Sequence, residues 1–108
     1  MDLQPLFLCL LLNIPYLFLV LLSKKELEMN IGQAVRERIL DLCNIRKITV
    51  NKLATMSGVT QSTLNNIVSG RNNSATVSTI KKLCDGLEIT IQEFFDSPLF
   101  YDLEQEIK

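Results

Sequence analysis

The stretch GVTQSTLNNIVSG, residues 58–70, concentrates short hydrogen-bonding side chains in one place. Gln61, Ser62, Thr63, Asn65, Asn66 and Ser69 surround three apolar residues, Leu64, Ile67 and Val68, at helical spacing. At about 100° per residue, the apolar three point one way. Ser62, Asn66 and Ser69 then point almost opposite, with Asn65 beside them and Gln61 and Thr63 at the open N-terminal end. The amides of Gln and Asn hold a donor and an acceptor side by side, and a hydroxyl serves as either. Such a face suits recognition by hydrogen bonds rather than proton transfer. Taken alone, it equally describes a solvated helix with no ligand.

Other chemistry is poorly provided for. The chain has no histidine, which removes His-based triads, most general-base arrangements and most transition-metal sites. Its three cysteines, Cys9, Cys43 and Cys84, are odd in number and widely spaced, against a disulfide framework or a zinc site. Cys43 and Cys84 fall in helical patterns and read as small buried hydrophobes. No Gly-rich phosphate loop, carboxylate pair or metal cluster is present in the sequence. The expectation is therefore a protein that is not an enzyme and uses no cofactor.

The charge distribution is more informative than its sum of −1 over 108 residues. Residues 33–82 hold eight Lys or Arg and two acids, a net of +6. Residues 85–108 hold seven acids and one Lys, a net of −6. A basic body with an acidic end creates local fields that the total hides.

Short helices must position the polar face. No strand-like alternation appears after residue 30. A first helix is predicted over Ile31–Asn44, with Ile31, Val35, Ile39 and Leu42 as its apolar stripe. Thr49 is a good N-cap for a second, about Val50–Met56, with Leu53 and Ala54 inward and Gly58 as terminator. Thr60 caps the third, and Gly70 ends it. Thr76 caps a fourth with the stripe Val77, Ile80, Leu83, Cys84 and Leu87. Thr90–Glu93 has capping-box spacing and opens a short fifth helix ending in Phe94 and Phe95.

The front of the chain is unlike the rest. Residues 3–22 are almost entirely apolar and about long enough to cross a bilayer, with Lys24 and Lys25 holding the following end in the cytoplasm. Pro5, Asn13 and Pro15 make it an imperfect span. The competing reading is a mis-assigned start. Lys25-Glu26 can be encoded AAG GAG, a bacterial ribosome-binding sequence, with a normal spacer to a start codon at Met29. Three segments follow: 1–28, apolar; 29–96, the helical domain; and 97–108, an acidic tail with an apolar patch at Leu99, Phe100 and Tyr101.

The run ITVNKLATMSGVTQSTLNNIVSGRNN, with TVSTIKKLCDGLEITIQEFF after it, resembles the Cro/C1-type (XRE-type) helix-turn-helix DNA-binding family over residues 31–95. Leu53-Ala54, Gly58-Val59, Thr60, Leu64, Ile67, Gly70 and the Leu87, Ile89, Phe94 ending carry the resemblance. It implies an all-α, compact five-helix, lambda-repressor-like domain that binds a double-stranded DNA operator as a homodimer. By position, Gln61, Ser62, Thr63 and Asn66 fall where the family reads bases. Thr49, Asn51, Ser69, Arg71 and Asn72 fall where it holds the DNA backbone. The residue types suit the task. Gln and Asn make paired bonds to adenine in the major groove, Ser and Thr bond several bases, and Glu would repel phosphate. The chain departs from the family at Val50, usually Gln, at Val68, often Glu, and at Ser74, often Pro. The first departure touches one phosphate contact.

The implied role is a cytoplasmic transcriptional regulator, a repressor in its simplest form. The rivals are an antitoxin-like interaction module that holds a protein partner through the tail, and a membrane-anchored regulator if residues 3–22 are genuine. Arg46-Lys47 and Lys81-Lys82 read as phosphate contacts or as plain solvated charge. Phe94-Phe95 reads as core or dimer contact. Because every apolar stripe is complete within residues 29–108, that segment is expected to fold alone. Circular dichroism of the truncated chain should show a helical protein with a cooperative melt; an unfolded product would make the front structural.

Overall fold

A computed structural model of the chain describes residues 29–107. Both readings of residues 1–28, and Cys9, fall outside them. Five α-helices follow one another: α1 (Ile31–Arg46), α2 (Val50–Ser57), α3 (Gln61–Val68), α4 (Val77–Leu87) and α5 (Ile91–Phe95). A 3-10 turn at Pro98–Phe100 closes the series. Among the described residues no helix is long and apolar enough to cross a membrane.

Each helix starts where a short polar side chain can accept from an otherwise unpartnered amide. Thr49, Thr60, Thr76 and Thr90 all do so. Thr90 and Glu93 complete the expected capping box, each side chain accepting from the other's backbone N–H at 3.0 Å. Asn30 and Gln33 form a second box at the start of α1. α1 runs two residues past its predicted end, to Arg46, where Lys47 turns into the left-handed region at φ 56°. Neither Gly nor Pro follows Asn44, so nothing local stops the helix earlier.

The core is one cluster. Val35, Ile39, Leu42 and Cys43 of α1 meet Leu53 and Ala54 of α2, Leu64 and Ile67 of α3, Ile80, Leu83, Cys84 and Leu87 of α4, and Phe94 of α5. Burial pushes the thiols of Cys43 and Cys84 above their ordinary pKa, in keeping with hydrophobic packing roles. Two members of the expected stripes are not in the core. Val77 is 76% exposed and Ile31 is 37% exposed. Both sit at the first residue of their helix, where the first turn overhangs the core instead of covering it.

Two arginines of α1 close the C-terminal ends of other helices. Arg38 donates from Nε to the Phe94 carbonyl at 2.7 Å and from Nη2 to the Glu93 carbonyl at 2.8 Å, at the end of α5. Arg46 donates from Nη2 to the Leu87 carbonyl at 2.7 Å, at the end of α4. Residues after α5 turn back on α1. Phe100 and Phe95 meet edge-on with ring centroids 4.9 Å apart, and Leu103 pairs with Met29 in an isolated parallel bridge. Phe94 is therefore core and Phe95 its cover.

α2 and α4 approach tightly at Ser57 and Gly86. A Cβ on Gly86 would stand 2.2 Å from Ser57 Oγ and 3.0 Å from Ser57 Cα. The hydroxyl can rotate away, but the Cα moves only with α2. Gly86→Ala should therefore destabilise the fold, on the order of 1 kcal/mol net, overpacking outweighing the better helix propensity of Ala. Chemical denaturation measures it; a more stable variant would show that the two helices separate freely.

Candidate nucleic-acid interface

The polar face read from the sequence is the solvent face of α3. Leu64 and Ile67 anchor the helix in the core, while Gln61, Ser62, Thr63, Asn66 and Ser69 are exposed. Gly58, Val59 and Thr60 make the three-residue turn from α2 to α3, and Gly58 takes φ 67° to cap α2. This turn places the N-terminus of α3 in the open. Thr60 donates its hydroxyl proton to Thr63 Oγ1 at 2.7 Å and accepts from the Thr63 amide at 3.3 Å. Thr63 keeps its own proton to offer outward.

The expected backbone-holding residues fall into two groups. Thr49 and Asn51 stand exposed at the start of α2. Thr49 is committed as a cap, accepting from the Lys52 amide at 3.0 Å. Asn51 Oδ1 accepts from Asn65 Nδ2 at 3.2 Å, a bond that ties α2 to α3. Ser69, Arg71 and Asn72 follow α3 in a loop that folds back on Asn66. The Ser69 hydroxyl donates to the Asn66 carbonyl at 3.3 Å, the Asn72 amide donates to it at 2.9 Å, and Arg71 Nε donates to Asn66 Oδ1 at 3.0 Å. Asn72 Oδ1 accepts from the Ser74 amide at 2.9 Å.

One residue missed by sequence reasoning joins this group. The place of a Cβ on Gly70 lies 2.7 Å from Arg36 Nη1, so the guanidinium of α1 sits in space that only glycine leaves. Gly32, one turn earlier, lies so close to the Asn73 carbonyl that a Cβ would approach it to 2.3 Å. The first turns of α1 thus hold up the loop after α3. The sequence signal was present only in half: Gly70 announces a tight turn, but nothing local says what fills the space beside it.

The charges sort themselves by position. Arg38 and Arg46 are spent on helix ends, and Lys81 pairs with Asp85, whose hydrogen bond and charge raise the Lys81 pKa. Arg46 thus also links α1 to the end of α4, a role that nothing in the sequence suggested. Arg36, Lys52 and Arg71 remain around α2, α3 and the loop; Glu37 approaches Arg36 only to 3.7 Å. Between Asp41 and Asp85 the chain contains no Asp or Glu at all. The whole helix-turn-helix and its following loop therefore present no carboxylate to a polyanion. Among the described residues no three His, Cys, Asp or Glu side chains gather to hold a metal.

Gly70 has φ 84°, a conformation costing other residues about 1–2 kcal/mol, and Arg36 stands where its side chain would go. Gly70→Ala should lose about that much stability by chemical denaturation; a neutral result would mean the loop relaxes to another conformation.

The model of the Cro/C1-type HTH DNA-binding domain matches residues 38–98. The uncharacterized HTH-type transcriptional regulator RghRB of Bacillus subtilis strain 168 is 40% identical over 58 residues, 54% of this chain and 39% of that protein. The chain thus spans about two-fifths of that relative's length. The crystal structure of prophage Lp1 protein 11 is similar at 37% identity and a TM-score of 0.59, over 65% of this chain and 92% of that one. With the five helices, the three-residue turn and the exposed face of α3, these likenesses have one reading: the chain belongs to the Cro/C1-type helix-turn-helix DNA-binding family.

Proposed function

We propose that the protein is a transcriptional repressor that inserts α3 into the major groove of a partly palindromic operator. The observation that carries this is the exposed amide and hydroxyl face of α3, set in a stretch of chain with no carboxylate. Gln61, Ser62, Thr63 and Asn66 read base edges. Arg71 and Arg36 hold phosphates beside the C-terminal end of α3, and Thr49, Asn51, Ser69 and Asn72 line the DNA backbone through hydroxyls, amides and main-chain groups. Two copies bind half-sites about one helical turn apart, each delivering one α3. Dimerisation in solution is weak. The apolar residues that the sequence left spare for it, Phe95, Leu99 and Phe100, are half-buried in their own domain, and Tyr101 alone stays exposed. The likeness to RghRB, described as an HTH-type transcriptional regulator, supports the same output, and the protein acts in the cytoplasm.

A second reading has one observation in its favour. Met29, Glu37, Asp41, Pro98, Leu99 and Asp102 line a groove beside the fold-back of the tail, three carboxylates among apolar side chains. A basic protein segment fits it, as for an antitoxin holding a partner; a stoichiometric partner protein after purification from the native host would favour that reading.

Selection of bound duplexes from a random pool tests the main proposal. The protein should enrich a two-fold related site. Gln61→Ala should then weaken the selected site by about 1–3 kcal/mol more than random duplex. Arg36→Ala should weaken both alike and lower the salt slope by about one unit. No enrichment at all, or Gln61→Ala without effect on preference, would remove α3 as the reading element.

A further inference from the structure

An asparagine amide has two ends of similar shape and opposite sense: one accepts hydrogen bonds and the other donates them. On an exposed helix face such as that of Asn66, either end is free to turn outward unless a neighbour decides. Here a neighbour does. Arg71 Nε lies 3.0 Å from the side chain of Asn66, and a guanidinium is donor only. The atom it faces must therefore be Oδ1, which leaves Nδ2 on the other side. We propose that Arg71 is a positioning residue for base reading: it fixes the Asn66 amide so that its donor end meets an acceptor on a base.

Arg71 is not there by chance. The amide of Asn72 and the hydroxyl of Ser69 both donate to the Asn66 carbonyl, so the loop is fastened to the same residue that its arginine orients. Gly70, at φ 84°, makes the turn that brings the chain back. Arg71 uses Nε on Asn66, and its two terminal nitrogens extend beyond that bond toward a phosphate. One guanidinium then joins a backbone contact to a base contact.

The chemistry narrows what Asn66 reads. A presented amide donor meets purine N7, guanine O6 or thymine O4, and meets the amino group of cytosine donor to donor. With Oδ1 keeping a second lone pair, adenine is taken at two points, N7 by Nδ2 and the N6 amino group by Oδ1. The base that Nδ2 itself meets is therefore a purine or thymine, not cytosine.

The inference rests on the reading of α3 as the DNA-reading helix, and a double-mutant cycle separates the two. Affinity for the selected duplex and for random duplex is measured for the full chain and for its Arg71→Ala, Asn66→Ala and doubly substituted variants, with circular dichroism as the check on folding. Arg71→Ala should lower the ratio of selected to random affinity roughly tenfold in the Asn66 protein and leave it unchanged in the Asn66→Ala background. Affinity for random duplex should fall equally in both backgrounds, because the phosphate contact is lost in each. Selection repeated with Arg71→Ala should blur one base position per half-site and spare the rest. An unchanged ratio after Arg71→Ala would reduce Arg71 to a phosphate contact. An equal fall in both backgrounds would mean that Arg71 reads bases itself. Either result overturns the proposal while α3 keeps its role. A wild-type chain that prefers no duplex would overturn the reading of α3, and this inference with it.

Discussion

A helix of eight residues has almost no interior. Four amides at one end and four carbonyls at the other lack partners within it, and in α2 and α3 those are most of the polar backbone. The whole domain depends on meeting that demand. Side-chain oxygens supply the N-terminal ends: Asn30, Thr49, Thr60, Thr76 and Thr90, one before each helix. The C-terminal ends are met in two ways. Left-handed residues, Lys47, Gly58 and Glu88, turn their own amides back on the last carbonyls. Arginines of α1 add to this, Arg46 beside Glu88 at the end of α4 and Arg38 at the end of α5. α1, twice the length of α2 or α3, is thus both core element and brace.

This bracing changes the meaning of the charge count. A net of +6 over residues 33–82 suggests a strongly basic surface. Arg38 and Arg46 keep their charge but hold it at the ends of α5 and α4, and Lys81 answers to Asp85. Arg36, Lys52 and Arg71 lie on or beside α2, α3 and the loop, and the chain has no carboxylate between Asp41 and Asp85 to oppose them. For recognition this balance matters. Phosphate attraction is blind to sequence and grows with every cation, whereas discrimination comes from neutral amides and hydroxyls. A modest charge keeps the blind component small relative to the reading component.

What could be read from the sequence was local. The threonine before each of α2 to α5, the capping box at Thr90 and Glu93, the glycine turns and the apolar stripes all act within a turn or two of chain. The box at Asn30 and Gln33 is equally local. The losses were of another kind. Arg38 meets Phe94 across 56 positions and Arg46 meets Leu87 across 41, and no pattern at that separation marks them. Arg36 beside Gly70 and the return of Leu103 to Met29 are tertiary events of the same sort. Of the site, the exposure of Gln61, Ser62, Thr63 and Asn66 followed from periodicity. That Asn65 faces Asn51 and Asn66 faces Arg71 depends on how the loop and α2 lie in space.

The fastening of the loop to α3 divides the reading surface by how it tolerates change over generations. Gln61 and Ser62 stand at the free end of the helix, with neither backbone strain nor a long-range brace attached to them. If α3 reads DNA as proposed, exchanging them would re-address the protein to a new site one substitution at a time, with the fold left as it is. Asn66 sits at the other end of the scale, tied through its carbonyl to Ser69 and Asn72 and through its side chain to Arg71. A new residue there strands the arginine, and a new residue at 71 releases the amide. Lineages descending from this chain would therefore diversify their operators first through the opening turn of α3, with positions 66 and 71 drifting as a linked pair or standing still.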